Sequence, residues 1–164
     1  MNREESIDLL RQMLEIYSPS GKEEEIASFI EDELALLGFE AVRKDKAGNV
    51  YGEIGSGSFS ILLCGHMDTV PGRIPVKHKA DKLYGRGAVD AKSSLAAMIS
   101  ASAMLKSKIR SEGKVIVAGV VDEEGKARGI RQLLREKFKI DCAIFGEPSG
   151  LKNITFAYKG RAYM

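Results

Sequence analysis

Apolar positions recur at two spacings along this chain, and the switch between them marks out its elements. Ile7, Leu10, Met13, Leu14 and Tyr17 fall on one face at helical spacing and predict a helix over 6–17. Ser18-Pro19 stops it, because proline disfavours the helical conformation of the residue before it. Ser20-Gly21-Lys22-Glu23 reads as a capping box opening a second helix, with Ser20 as N-cap and Glu23 at the third helical position. Ile26, Phe29, Ile30, Leu34 and Leu37 form its stripe, Gly38 ends it, and Glu23 to Glu25 read as a solvated first turn that suits the helix dipole. The spacing then shifts toward two. Strands are predicted over 39–44 and 49–54 around a turn at Lys46-Ala47-Gly48.

Short unbroken apolar runs follow. Residues 61–64 are too few for a helix and predict a strand buried on both faces; 115–121 is a β-branched run that predicts the best central strand; 142–145 predicts a third buried strand. Between them, Leu95, Met98, Ile99, Ser102 and Leu105 predict an alanine-rich helix over 92–108, whose small residues let it lie close to a sheet. Ile130, Leu133 and Leu134 predict a short helix over 127–137, and 153–158 predicts a last strand. A short strand pair is expected around Ala80-Asp81-Lys82. Strand, helix, strand, helix, strand argues an α/β three-layer sandwich with a mostly parallel central sheet.

Composition narrows the class. In 164 residues, 25 basic and 23 acidic side chains nearly cancel, and no basic stripe with aromatics appears, so nucleic acid is not an expected partner. No apolar run approaches a membrane span, and residues 1–3 lead straight into an amphipathic pattern and not a signal peptide, so the expectation is a soluble cytoplasmic protein. Cys64 and Cys142 lie in apolar runs and read as small buried hydrophobes, which indicates neither a disulfide framework nor a thiolate zinc site.

The candidate chemistry sits where the buried strands stop. His66, the pair Glu123-Glu124, and Glu147 each follow one of them, and the carboxyl ends of strands in an open α/β sheet form the ligand crevice. The loop carrying Asp90, approached through Gly85-Arg86-Gly87, enters the same space. Asp68, two residues past His66, lies on the same side of an extended backbone and can fix the imidazole tautomer. An isolated H-x-D is more often a satisfied histidine, but so many carboxylates in one crevice call for a cation. One histidine with several carboxylates suits zinc, with manganese or cobalt as substitutes. His78, between Lys77 and Lys79, reads as solvent-facing, Asp122 as a loop residue or a support behind the ligands, and Arg86 and Lys92 as loop supports.

The stretches GHMDTVPG, YGRGAVDAK, VDEEG and GEPSG, in this order, resemble the metal-dependent deacylase and peptidase superfamily that includes carboxypeptidase G, succinyl-diaminopimelate desuccinylase, acetylornithine deacetylase and the aminoacylases. More narrowly, LYGRGAVDAK and GEPSG followed by YKGR resemble hydrolases that release lysine or ornithine from an amino-group carrier protein in lysine and arginine biosynthesis. The resemblance implies a phosphorylase/hydrolase-like zinc-peptidase domain and two metals. His66 and Glu147 would bind one metal, Glu124 the other, and Asp90 would bridge them, followed by a cis peptide. Asp68 would orient His66, and Glu123 would be the general base. The residues alone leave open which of the two glutamates is base and which is ligand.

The resemblance also implies substrates: an N-acyl amino acid or carrier-linked lysine or ornithine, with a dipeptidase or aminopeptidase on the same metals as the alternative within enzymes and a non-catalytic metal-binding remnant outside them. Relatives of this kind need a further, late histidine and an inserted lid that often makes a homodimer. The chain has two histidines. It therefore reads as the N-terminal part of a longer enzyme, with 1–158 in the catalytic domain and 159–164 the start of the lid, and as inactive by itself.

Overall fold

In the computed structural model, the described residues are 1–109, 112–150, 152 and 154–157. The first helix, α1 (Arg3–Glu15), begins three residues before its predicted start because Asn2 caps it. The Asn2 side chain accepts the Glu5 amide at 3.0 Å while the Glu5 carboxylate accepts the Asn2 amide at 2.8 Å. Its buried face is Leu9, Met13 and Leu14, while Ile7, expected inside, is turned outward. Of two apolar stripes on this helix, packing against the long third helix selects the one carrying Leu9.

The second helix, α2 (Glu24–Leu36), buries the predicted Ile26, Ile30 and Leu34 together with Ala27, leaves the predicted Phe29 and Leu37 half-buried, and stops before Gly38, which takes φ +74. Its predicted capping box does not form. Glu23 is the N-cap residue and makes no side-chain cap; it is buried, and Ser20 lies outside the helix. Both side chains are committed elsewhere, as described below.

Strands β1 (Glu40–Lys44), β2 (Val50–Ile54), β3 (Phe59–His66), β6 (Gly113–Val120) and β7 (Cys142–Phe145) form one sheet in the order β1-β2-β6-β3-β7. β6, β3 and β7 run parallel, β2 is antiparallel to β6, and β1 is antiparallel to β2, so every strand but β2 shares one direction. A separate hairpin pairs β4 (Lys77–Lys79) with β5 (Lys82–Tyr84), as the sequence predicts.

Period two decides the layers. Val115 and Val117 of β6 face the core made by α1, α2 and α3 (Lys92–Ile109), together with Leu95 and Ile99. Ile116, Ala118 and Val120 face the other side, where Leu133 of α4 (Arg128–Leu133) and Phe138 cover them. The result is the expected three-layer α/β sandwich. α3 lies close because Gly65 offers no side chain: a Cβ there would stand 3.2 Å from the Leu95 Cβ.

Several sequence expectations are corrected at the rim. α4 is shorter than predicted and Leu134 is exposed, as is Leu105 of α3. β7, predicted buried, is exposed along its length, Cys142 included, because β3 is its only neighbour among the described residues. Cys64 is buried, and burial, then the charge of Glu147, push its thiol up to about 12. Of the predicted strand 153–158, residues 154–157 are exposed and form no strand, while 153 and 158 lie outside the described residues, as do 159–164.

Candidate metal centre

Three neighbouring parallel strands end together, and their register fixes how. His66 stands beside Val120, the last residue of β6, and Cys64 stands beside Phe145, the last of β7. The amide of Met67 continues the ladder to the Val120 carbonyl at 2.8 Å, and that of Gly146 continues it to the Cys64 carbonyl at 2.8 Å. His66, Glu123-Glu124 and Glu147 therefore emerge at one edge of the sheet. Asp90 comes from the loop before α3, and its bond to Ala91 is cis, as the resemblance implies.

The histidine is fully enclosed. His66 Nδ1 lies 2.9 Å from the main-chain oxygen of Asp68 and 3.5 Å from that residue's Oδ1, so both parts of Asp68 hold the ring. Nε2 stands 3.0 Å from Asp90 Oδ1. Burial would lower the imidazole pKa, but hydrogen bonding and charge from Asp68, then Asp90 and Glu147, raise it to about 9. The carboxylates that draw a proton to this ring would also favour a cation at Nε2, which would have to displace that proton.

Asp68 does more than orient that ring. Its side chain is completely buried. Oδ1 accepts the Glu123 amide at 3.0 Å; Oδ2 accepts the Glu124 amide at 3.1 Å and the Ser20 hydroxyl at 2.6 Å. Burial alone would raise its carboxyl pKa, but His66, Ser20 and the Glu123 amide outweigh burial and lower it.

Ser20 and Glu23 are the functional supports that sequence reasoning missed. Glu23 Oε1 accepts the amides of Gly21 at 2.8 Å and Asp122 at 3.0 Å. Asp122 itself is buried at φ +59, with its carboxylate 2.9 Å from Arg128 Nε. The turn that carries the two glutamates is thus clamped from both sides. A serine followed by a glutamate three residues later fits a helix cap equally well, and the true partners lie 48 and 99 positions away. Only the need of a buried Asp68 for donors hints at Ser20.

One nitrogen or oxygen from each of His66, Asp90 and Glu124 lies within 4.8 Å of the others. Glu147 is outside that group at this spacing, but it shares its field. Burial first, then the charges of Glu123, Asp90 and Glu124, raise its carboxyl pKa against the lowering effect of His66. Glu124 is raised likewise, by burial and then by Asp90. Carboxylates held above their usual range by burial and by one another are what a divalent cation relieves, and an imidazole–carboxylate donor set fits one. Glu123 is exposed, and His78 is exposed on β4 away from any strand end. Lys92 and Arg86 are loop supports, as expected: Lys92 Nζ donates to the carbonyls of Met13 and Ile16, and Arg86 Nε to that of Gly72.

A parallel-edged α/β sheet presenting a histidine and carboxylates in this way is the frame of a candidate divalent-metal site. The chain belongs to peptidase family M20/M25/M40, whose pattern it matches over residues 62–159. It is 44% identical, over 94% of its length and 42% of the relative's, to a [LysW]-lysine hydrolase of Deinococcus radiodurans. Aminopeptidase PepT of Bacillus cereus shares the fold with a TM-score of 0.77 and 25% identity, over 92% of this chain and 44% of that one. A dinuclear metal-binding M20 peptidase of Bacillus subtilis superposes with a TM-score of 0.61 at 19% identity, over 80% of this chain and 38% of that one. The chain spans less than half the length of these relatives.

Proposed function

We propose that this chain is the N-terminal, metal-binding part of an amidohydrolase that releases lysine or ornithine from a carrier-protein-linked or N-acyl precursor, in a cytoplasmic lysine or arginine biosynthetic route. The observation that carries the reading is the cluster of His66, Asp90 and Glu124 at a strand edge braced by Asp68. The 44% identity to a lysine hydrolase acting on a LysW conjugate supports the substrate class. On this reading residues 1–158 belong to the catalytic domain, 159–164 begin a lid, and the carrier protein is the partner; the lid would also supply any homodimer contact.

His66, Asp90, Glu124 and Glu147 would hold the metals, zinc by preference for this donor set. Bound there, metal supplies Lewis acidity toward the scissile carbonyl and acidifies water. The remaining steps belong to the chain. Glu123 takes the proton of the attacking water and hands it to the leaving amine of the released amino acid. Its exposed carboxylate, on a turn whose amides Asp68 holds, suits a base that must reach into an open crevice, while Glu124 lies within the ligand group. Asp68 keeps its charge and fixes the tautomer of His66 throughout.

The test is release of free lysine from a carrier-linked lysine by the whole protein loaded with zinc, compared with N-acetyl-lysine, N-acetyl-ornithine and a dipeptide. Metal-dependent release from the carrier conjugate is expected to dominate. Turnover of the dipeptide alone would replace this reading with that of an aminopeptidase.

A further inference from the structure

Apart from the metal cluster, a half-open cavity of about 350 Å³ lies between the end of α1 and the loop that follows Asp68. Its size is at the lower end for small-molecule sites. Leu14 and Ile74 contribute apolar wall, but the charged lining is one-sided: Arg73, Arg86 and Lys92 against a single acid, Glu15. That acid already holds Arg11 at 2.7 Å.

The cationic groups are under-used. Lys92 is 1% exposed, and its ammonium gives two of three donors to the carbonyls of Met13 (2.9 Å) and Ile16 (2.7 Å). No carboxylate among the described residues lies within ion-pair distance of it. Thr69, also 1% exposed, lines the same cavity, and its buried Oγ1 has no partner. Arg86 spends Nε on the Gly72 carbonyl at 2.8 Å, and its terminal nitrogens have no partner among the described residues. The Arg73 guanidinium stands 5.3 Å from the centre of the Tyr17 ring, over its face, and the Tyr17 hydroxyl accepts the Gly72 amide at 3.0 Å, so both arginines are anchored at the rim. The charge of Asp68 favours the Lys92 ammonium from beyond ion-pair distance but does not outweigh its burial, and a buried hydroxyl without a partner adds to the cost.

We propose that this cavity binds a small organic carboxylate, its anionic end taken by Lys92, Thr69 and the arginine rim and its aliphatic body by Leu14 and Ile74. A carboxylate is the complementary group: it offers acceptors to the unused donors, it matches the arginine fork, and it neutralises the buried ammonium. The site shares no residue with the metal cluster.

The experiment titrates hexanoate into the metal-free chain and follows amide NMR shifts, with hexanamide as the neutral control. Saturable shifts at Tyr17, Thr69, Arg73 and Lys92 are expected, with a millimolar Kd and binding about tenfold weaker for hexanamide. Lys92→Met should abolish the binding. Because that change also releases the end of α1, the pair Arg73→Ala/Arg86→Ala, which touches only the rim, is the second variant and should weaken binding by about tenfold. No saturable shift in the folded wild-type chain, equal binding of hexanamide, or undiminished affinity in the double-arginine variant would overturn the proposal.

Discussion

The carboxylate of Asp68 receives the backbone amide of Glu123 at 3.0 Å, so the residue that orients His66 also sets the turn bearing the proposed base. That carboxylate accepts two amides and the Ser20 hydroxyl and lies 3.5 Å from His66 Nδ1, so every group facing it is a donor. An asparagine would turn a second donor toward one of them. Asp68→Asn is therefore expected to destabilise the chain by about 3 kcal/mol, the order of a lost buried charged hydrogen bond together with an unsatisfied amide. Urea unfolding of the metal-free protein checks it; a change below about 0.5 kcal/mol would mean that the clamp contributes nothing.

The stability of the metal-free chain should fall as pH rises from 6.5 toward 8. The imidazole of His66 is raised from its ordinary 6.5 to about 9, because the pull of Asp68, Asp90 and Glu147 exceeds the opposing effect of burial. A folded-state pKa above the unfolded one gives stability that is complete below 6.5 and lost as pH climbs through about 9. Lys92 acts oppositely, since burial lowers it to about 8 and its contribution grows above that pH. From 6.5 to 8 the histidine therefore dominates, and Lys92 opposes it only toward the upper end of that window. Urea midpoints across it should decline for the wild type and stay level for His66→Gln; a level wild type would contradict the assigned pKa direction.

Much of this was legible in advance because it depends on local periodicity. The strands ending at His66, Val120 and Phe145 show themselves as short apolar runs, and parallel pairing obliges their ends to share one edge. What stayed hidden depends on contacts between distant positions. Ser20 and Glu23 satisfy a local capping pattern, yet the buried Asp68 and the Asp122 amide compete for them and win. Likewise nothing in Cys142–Phe145 distinguishes an edge strand from a central one, because neighbours, not composition, decide exposure.

Asn49 offers a test of the frame behind the site. It is fully buried; its Oδ1 accepts the Val121 amide at 3.0 Å, and its amide group donates to the Gly129 carbonyl at 2.9 Å and to Asp45 Oδ2 at 2.8 Å. Asn49→Ala would leave a buried donor before the Asp122–Glu124 turn and a buried acceptor after it, at Val121 and Gly129, without this partner. The expected loss is about 3 kcal/mol. Thermal unfolding should register it, and a shift within experimental error would show that water replaces the side chain without cost.

Glu123→Gln separates the base from the ligands. In the whole protein this change keeps shape and removes the proton acceptor, so kcat should fall by about 10²–10⁴-fold. Metal content, measured by elemental analysis, should stay unchanged. Loss of metal in Glu123→Gln, with metal retained in Glu124→Gln, would exchange the two roles.

Metal binding by the chain itself follows from how the donors are distributed. His66, the one imidazole at the sheet edge, is held ready at Nε2 beside Asp90, with Glu124 in the same group and Glu147 in the same field. A zinc ion taking the histidine gains a nitrogen ligand and two or more carboxylates. A second ion would have to share Asp90 and the remaining carboxylate, with no further imidazole at that edge among the described residues, and carboxylate oxygens alone suit zinc less well than a mixed set. Calorimetric titration at pH 7 should therefore show one site clearly tighter than any other, and binding should release protons as zinc displaces the one that His66 carries. The proton count can be read by repeating the titration in buffers of different ionisation enthalpy. His66→Gln should remove the tight site and its proton release together, whereas Glu123→Gln should alter neither. Two sites of equal affinity in the wild-type chain, or tight binding that survives His66→Gln, would refute the assignment of His66 as the anchoring ligand.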